Sequence, residues 1–96
     1  MPIVIRSFRD KATEAIFNGS FAKGIDPRIQ QRAREKLKLL DAAVSLEDLR
    51  SPPGNRLEAL TKHRIGQHSI RINDQWRVCF RWNGRDALNV EVVDYH

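Results

Sequence analysis

The apolar positions of the chain change period about halfway along. In the first half they recur at helical spacing. Phe8, Ala12, Ala15 and Ile16 share one face, and Ile29, Ala33, Leu37, Leu40 and Val44 come next at intervals of four, four, three and four. Arg28, Arg32, Arg34, Lys36 and Lys38 lie mostly off that second stripe, as expected of a solvated face. Ser7 with Asp10 three residues on has the pattern of a helix cap, and Gly19 stands where a helix ends in a left-handed residue. Asp26-Pro27 restarts the chain as N-cap and first-turn proline. Ser45 to Leu49 can add one more turn, and Ser51-Pro52-Pro53-Gly54-Asn55 predicts a loop. Before the first helix, residues 2–6 alternate weakly and predict a short strand.

In the second half the period falls to two. Residues 67–73, 75–82 and 87–95 alternate and hold the β-branched and aromatic side chains. The predicted order is β-α-α-β-β-β. It is an α+β fold in which an N-terminal strand and two helices pack on one face of an antiparallel meander, one domain over residues 1–96.

A one-residue slip would swap the faces of a strand, so the apolar pattern predicts register. Ile70 and Ile72 must share a face with Trp76, Val78, Phe80 and Trp82, which places Ile72 opposite Trp76 and Ile70 opposite Val78 around an Asn73-Asp74-Gln75 loop. The same logic places Phe80 opposite Leu88, Val78 opposite Val90 and Trp76 opposite Val92, with Asn83-Gly84-Arg85 as the second loop. The reverse face then holds Arg71 opposite Arg77, Gln67 opposite Arg81 and Ser69 opposite Cys79, with Glu91 beside Arg77 and Tyr95 near the end. Two arginines facing each other across strands cost about 0.2–1 kcal/mol. Such a face suits an extended polyanion such as RNA; in the plainer reading Glu91 and solvent relieve the repulsion and the face is merely wet.

Charge sharpens this picture. The chain carries a net charge of +5, and six of its cations against two acids lie between Arg56 and Arg81. Five of the six are arginines, the better residue for bidentate phosphate contacts. The other constraints are exclusions. No apolar run approaches the roughly 20 residues of a membrane span, so no membrane partner is expected. The apolar start is too short for a signal peptide, and the single cysteine offers neither a disulfide framework nor a zinc cluster, which together favour the cytoplasm. No metal-ligand spacing and no glycine-rich phosphate loop occur, so neither metal nor cofactor is expected.

Five strings carry a resemblance. Arg56-Leu57-Glu58-Ala59-Leu60, then Arg64 to Asn73, then Gln75-Trp76-Arg77-Val78-Cys79-Phe80-Arg81-Trp82, resemble the core of the HigB family of RelE-like toxins, and Asp94-Tyr95-His96 resembles its C-terminal signature. With Ser7-Phe8-Arg9 the likeness spans nearly the whole chain. It implies a RelE-like fold and the toxin of a type II toxin–antitoxin pair, an endoribonuclease that cuts messenger RNA on the translating ribosome. It also implies a helix-turn-helix antitoxin of the HigA kind, through which the toxin would reach operator DNA. By position, Arg77, Asp94, Tyr95 and His96 match the family's functional residues, and Arg71 matches by its neighbourhood. One departure stands out. The family commonly carries a Lys-Gly-Asp-Arg-like turn, whereas this chain reads Thr61-Lys62-His63-Arg64, with the lysine displaced and the glycine and aspartate replaced.

Metal-independent RNA cleavage needs a base for the 2′-hydroxyl, charge stabilisation at the phosphate and an acid for the 5′-oxygen. His96 is the candidate acid or base, since an unperturbed imidazole titrates at about 6.5. Arg77 would meet the scissile phosphate, Tyr95 would stack on a base or donate a hydrogen bond, and Asp94 completes the catalytic set. Arg64, Arg71, Arg81, Lys62 and His63 are the expected RNA-binding residues, His63 as substitute or bystander. His68 falls on the apolar face and is expected to be a satisfied core residue. Cys79 lies on the arginine face without a histidine–acid partner, which argues against nucleophilic catalysis. Two other readings remain open: a toxin of the same fold without nuclease activity, such as the gyrase-directed ParE proteins, and a basic nucleic-acid-binding module that does no chemistry.

Overall fold

The structure is a computed structural model and describes residues 4–95. Helix α1 (Lys11–Phe17) and helix α2 (Gln30–Ala42) precede a four-stranded antiparallel sheet of β1 (Glu58–Ala59), β2 (Gln67–Arg71), β3 (Trp76–Trp82) and β4 (Ala87–Asp94), in spatial order β1-β2-β3-β4. The expected α+β arrangement of two helices on one sheet face is present. Its core joins Ile16 of α1 and Ala33, Leu37 and Leu40 of α2 to Ile70, Val78, Phe80, Val90 and Val92 of the sheet.

The helix boundaries follow local chemistry, with two corrections. Asp10, not Ser7, caps α1: its carboxylate accepts from the Thr13 amide at 2.8 Å, while the Ser7 hydroxyl accepts from the Asn89 amide at 2.9 Å. Gly19 ends α1 with φ +86, as its position predicts. Asp26 caps a short turn over Pro27–Ile29 that runs into α2, again as predicted. The apolar stripe of α2 stops one step early. Ala43 is already extended and Val44 is exposed, because Asp48 accepts from the Val44 and Ser45 amides and begins the next turn, Leu46–Arg50. The segment 51–55 is not all loop: Pro53–Asn55 make a tight turn, and Asn55 is fully buried, donating to the Leu49 and Ser51 carbonyls.

The expected N-terminal strand falls partly on residues 1–3, which lie outside the described residues. Residues 5–8 run parallel to β4 and touch it in two isolated bridges, Ile5 with Ala87 and Phe8 with Val90. The Arg6 amide donates to the Ala87 carbonyl at 2.8 Å and the Arg9 amide to that of Val90 at 2.9 Å. On the opposite sheet edge β1 is a strand that alternation did not predict, since two residues are too few to show a period.

The register between β2 and β3 is the predicted one, with Ile70 opposite Val78 and Arg71 opposite Arg77. Between β3 and β4 it is not. Val78 faces Val92 and Trp76 faces Asp94, two residues from the expected pairing, while Arg81 faces Leu88 and Trp82 faces Ala87. The irregularity lies between Cys79 and Arg81, where Asn89 sits at φ +51 and an extra residue is accommodated on β4. Asparagine tolerates that left-handed conformation better than most side chains. The second loop is therefore 83–86, closed by the Asn83 carboxamide accepting from the Arg85 and Asp86 amides at 2.9 and 2.7 Å. The bulge places Ala87 in the core and turns Leu88 to the side of Arg81.

Candidate nucleic-acid interface

β1 and β4 are the two edges of the sheet, yet residues from both line one open groove of about 490 Å³. The sheet coils until its edges face each other across β2 and β3. On one bank, β1 passes through Leu60, whose amide donates to the Gln67 carbonyl, into a tight turn over Lys62–Arg64. On the other bank stand Val93, Asp94 and Tyr95. The turn has an unusual conformation. Lys62 adopts φ +58, left-handed geometry that suits glycine, at the point where the resembling family places its glycine.

Beneath the groove lies Arg77, only 12% exposed and fixed on several sides. Its Nε donates to the Ser69 hydroxyl at 2.7 Å, its Nη2 donates to the Arg56 carbonyl at 2.7 Å, and the Glu58 carboxylate lies 3.5 Å away. Arg56 itself is left-handed at φ +45, at the end of the Pro53–Asn55 turn. The Arg77 guanidinium also sits 5.7 Å from the centre of the Tyr95 ring, within cation–π range. Arg77 is thus held in one orientation, the preorganisation that a charge-stabilising group requires.

Next to it Glu91 bridges two cations. One carboxylate oxygen accepts from Arg64 Nη1 at 2.9 Å, and the other lies 3.5 Å from Arg9. Arg64 Nη1 also reaches the Gln67 side chain at 3.0 Å. The hydrogen bond that Arg64 donates to Glu91 pushes the Arg64 guanidinium above its usual range, so it stays charged. Below this layer Cys79 is fully buried, and burial raises its thiol to about 11 despite the nearby arginines. A thiol in that state is a poor nucleophile, in keeping with the absence of a histidine–acid partner in the sequence.

The structure thus brings Lys62, His63, Arg64, Asp94 and Tyr95 to one groove, with Arg77 under Tyr95. Asp94 accepts from the Gln75 side chain at 3.0 Å. Arg71 and Arg81 stand apart from the groove lining. Arg71 pairs with Asp74 at the β2–β3 hairpin, and exposed Arg81 lies over Gly66, close enough that a side chain there would meet it at 2.9 Å. His96 lies outside the described residues. Three expectations need correction. Glu91 faces Cys79 rather than flanking Arg77, because the β4 bulge moves the pairing by two residues. The repulsion between Arg71 and Arg77 is relieved by Asp74 and Glu58 instead. His68 does stack on Phe80, but its buried Nδ1 finds no hydrogen-bond partner among the described residues, so it is not a satisfied core histidine. Sequence reasoning did not single out Glu58 or the Arg56 carbonyl. Glu58 as one of two acids in a basic stretch was a signal, whereas nothing local marks the carbonyl.

Residues 6–96 match the family described as RelE-like toxin of type II toxin-antitoxin system HigB. The chain is 41% identical over 83 residues to Toxin HigB-1 of Vibrio cholerae, covering 85% of this chain and 87% of that protein. It is 27% identical over 93 residues to Endoribonuclease HigB of Proteus vulgaris, covering 97% and 100% of the two chains. Among solved structures, the fold is similar to a chain of the toxin–antitoxin complex RelBE2 from Mycobacterium tuberculosis, with a TM-score of 0.52 at 16% identity and full coverage of both chains. It is also similar to a YoeB/ParE toxin from Agrobacterium tumefaciens, with a TM-score of 0.50 at 14% identity, covering 100% of this chain and 99% of that one. At such identities these two likenesses speak for the fold alone.

Proposed function

This chain belongs to the family of HigB-like, RelE-type toxins of type II toxin–antitoxin systems, and from that premise we propose that it is an endoribonuclease that cuts messenger RNA on the translating ribosome. The observation that carries the reading is the groove itself. A basic turn at one sheet edge and the Asp94-Tyr95 end at the other meet over an arginine held rigid from behind. That arrangement offers a phosphate a fixed cation and offers a base the ring of Tyr95, which is 43% exposed.

In this reading the 2′-oxygen loses its proton to a base and attacks phosphorus. The bond from phosphorus to the 5′-oxygen breaks, and an acid protonates the leaving oxygen. The products are a 2′,3′-cyclic phosphate and a 5′-hydroxyl. Arg77 faces the charge that develops on the phosphate, Arg64 and Lys62 hold the backbone, and Tyr95 stacks on a base. His96 is the proton carrier, two residues after Asp94 in sequence, and His63 lines the groove together with Asp94. No metal or cofactor has a part. A site with a fixed cation but few strong bases depends on substrate orientation, which the ribosome supplies. The protein acts in the cytoplasm and is neutralised by a helix-turn-helix antitoxin, through which it reaches operator DNA.

Toeprinting of a translating messenger on purified ribosomes tests this. Wild type is expected to cut, and His96→Gln and Arg77→Ala to lose about 10²–10³-fold of the rate while retaining a cooperative melt. Arg77→Lys, which keeps the charge but not the fork, should recover only part of it. An intact messenger with wild-type protein that still arrests growth would sink the nuclease reading and point to a ParE-like target such as gyrase. RNA binding without cutting or growth arrest would leave a binding module.

A further inference from the structure

A second concavity opens on the far side of the β2–β3 hairpin from the groove. It has about 420 Å³ of space between α2 and the hairpin, with Arg32, Lys36 and Arg71 projecting into it and Pro52 and Gly54 on its rim. Among the described residues lining the cleft only Asp74 opposes these three cations, and its carboxylate is almost fully exposed and paired with Arg71. Arg32 and Lys36 are one helical turn apart on α2 and Arg71 comes from β2, so the convergence of the three is a tertiary property.

Lys36 is a placed charge. Its Nζ donates at 2.5 Å to the Asn55 carboxamide oxygen, and Asn55 is fully buried with its own amide fixed on the Leu49 and Ser51 carbonyls. The tight turn at Pro53–Asn55 and the buried asparagine therefore serve to hold a half-buried lysine at the cleft. Burial and the neighbouring Arg32 lower the pKa of Lys36, with Glu35 acting in the opposite direction.

The cleft and the groove share no lining residue, but one cross-strand pair links their neighbourhoods. Arg71, at the cleft, is the cross-strand partner of Arg77, which lies under the groove, and paired residues stand only about 4.5–5.5 Å apart. We propose that Arg32, Lys36 and Arg71 form a second phosphodiester-binding site, which holds the backbone of the same RNA strand where it leaves the groove past the β2–β3 hairpin. This rests on the proposed RNA cleavage and extends it from a cutting site to a track several nucleotides long. The phosphates could instead belong to ribosomal RNA; the adjacency of Arg71 and Arg77 in the strand register favours the strand in the groove.

The test is a backbone-amide NMR titration of the full chain with uncleavable 2′-O-methyl oligonucleotides, a tetranucleotide and a dodecanucleotide, up to millimolar concentration. Both should perturb residues 58–64 and 93–95, and only the longer one should also perturb residues 32–36 and 71–74. The longer oligonucleotide should bind more tightly. Arg32→Gln, which leaves Lys36 on Asn55, and the double change Arg32→Gln with Lys36→Gln should remove that advantage stepwise. Each lost contact should flatten the slope of log affinity against log salt by about 0.7. Lys36→Arg should restore the salt slope if charge is what matters. Perturbation of the groove without the cleft, or a length advantage that survives both variants, overturns this proposal and leaves the nuclease reading standing. Silence at both sites overturns both. Variants that lose affinity for vacant ribosomes but keep the full oligonucleotide length dependence assign the cleft to ribosomal RNA and overturn the same-strand reading.

Discussion

The two faces of the sheet are both dry at their centre, but for different reasons. On the helix side Ile70, Val78 and Phe80 are sealed by Leu37 and Leu40 of α2 and Ile16 of α1. On the reverse side Ser69 and Cys79 are equally inaccessible, yet what covers them is polar: Arg77, Arg64 and Glu91 at the curled edges of the sheet. Along β3 the residue types alternate while burial does not, since Val78, Cys79 and Phe80 are all buried in succession. Apolar burial needs only complementary volume, whereas a polar cover excludes water only when its hydrogen bonds are paired. The polar face therefore has fixed geometry, and that geometry is what a binding site can use.

The comparison can be broken most sharply at Phe80. Phe80→Ala should cost about 3–5 kcal/mol of unfolding free energy in urea denaturation, because it opens a cavity against α2. Arg81→Ala, its neighbour on the exposed polar side, should change stability by less than about 0.5 kcal/mol. Equal losses at the two positions would mean that the polar face contributes to the core as the apolar one does.

A second test asks whether the polar cover truly excludes solvent. With its thiol at about 11 and no exposed surface, Cys79 should react with a thiol reagent at pH 8 about a hundredfold or more slowly than a free cysteine, and at the free rate once urea unfolds the chain. Rapid labelling of the folded protein would show that the arginine layer opens readily.

The smallest expected effect concerns a polar intruder on the apolar side, His68. Burial lowers the pKa of His68, so the unfolded chain takes up this proton before the folded one does. Stability should then be unaffected above about pH 6.5 and fall as pH drops from there towards the folded value, with a slope of at most about 1.4 kcal/mol per pH unit. His68→Gln should remove that slope. A wild-type urea midpoint that is flat between pH 6.5 and 5 would mean that His68 is charged in the folded protein with an anionic partner.

Much of the fold was legible in the chain because the information is local. The stripe from Ile29 to Leu40, the Asp26-Pro27 start and the Gly19 stop each depend on neighbours within one turn, and each appears as predicted. The β2–β3 register was equally legible, since a three-residue loop and two apolar alternations leave one consistent pairing. Where reading failed, the deciding contact was distant. Ser7 resembles a cap but is claimed by Asn89 across the sheet. Leu88 fits an inward pattern until a bulge at Asn89 inverts it, and a period-two pattern holds no trace of an inserted residue.

For the candidate site the division is similar. The sequence alone determined the residue types, the excess of arginine between Arg56 and Arg81, and the parity that puts Arg71, Arg77 and Tyr95 on one face. Only the tertiary structure decided that Lys62, His63 and Arg64 face Asp94 and Tyr95, that Glu91 serves Arg64 rather than Arg77, and that Arg71 turns towards α2. Alternation sets which side of a strand a residue takes. The coil of the sheet sets which edges meet, and that coil depends on the bulge, the helices and the polar pairs acting together.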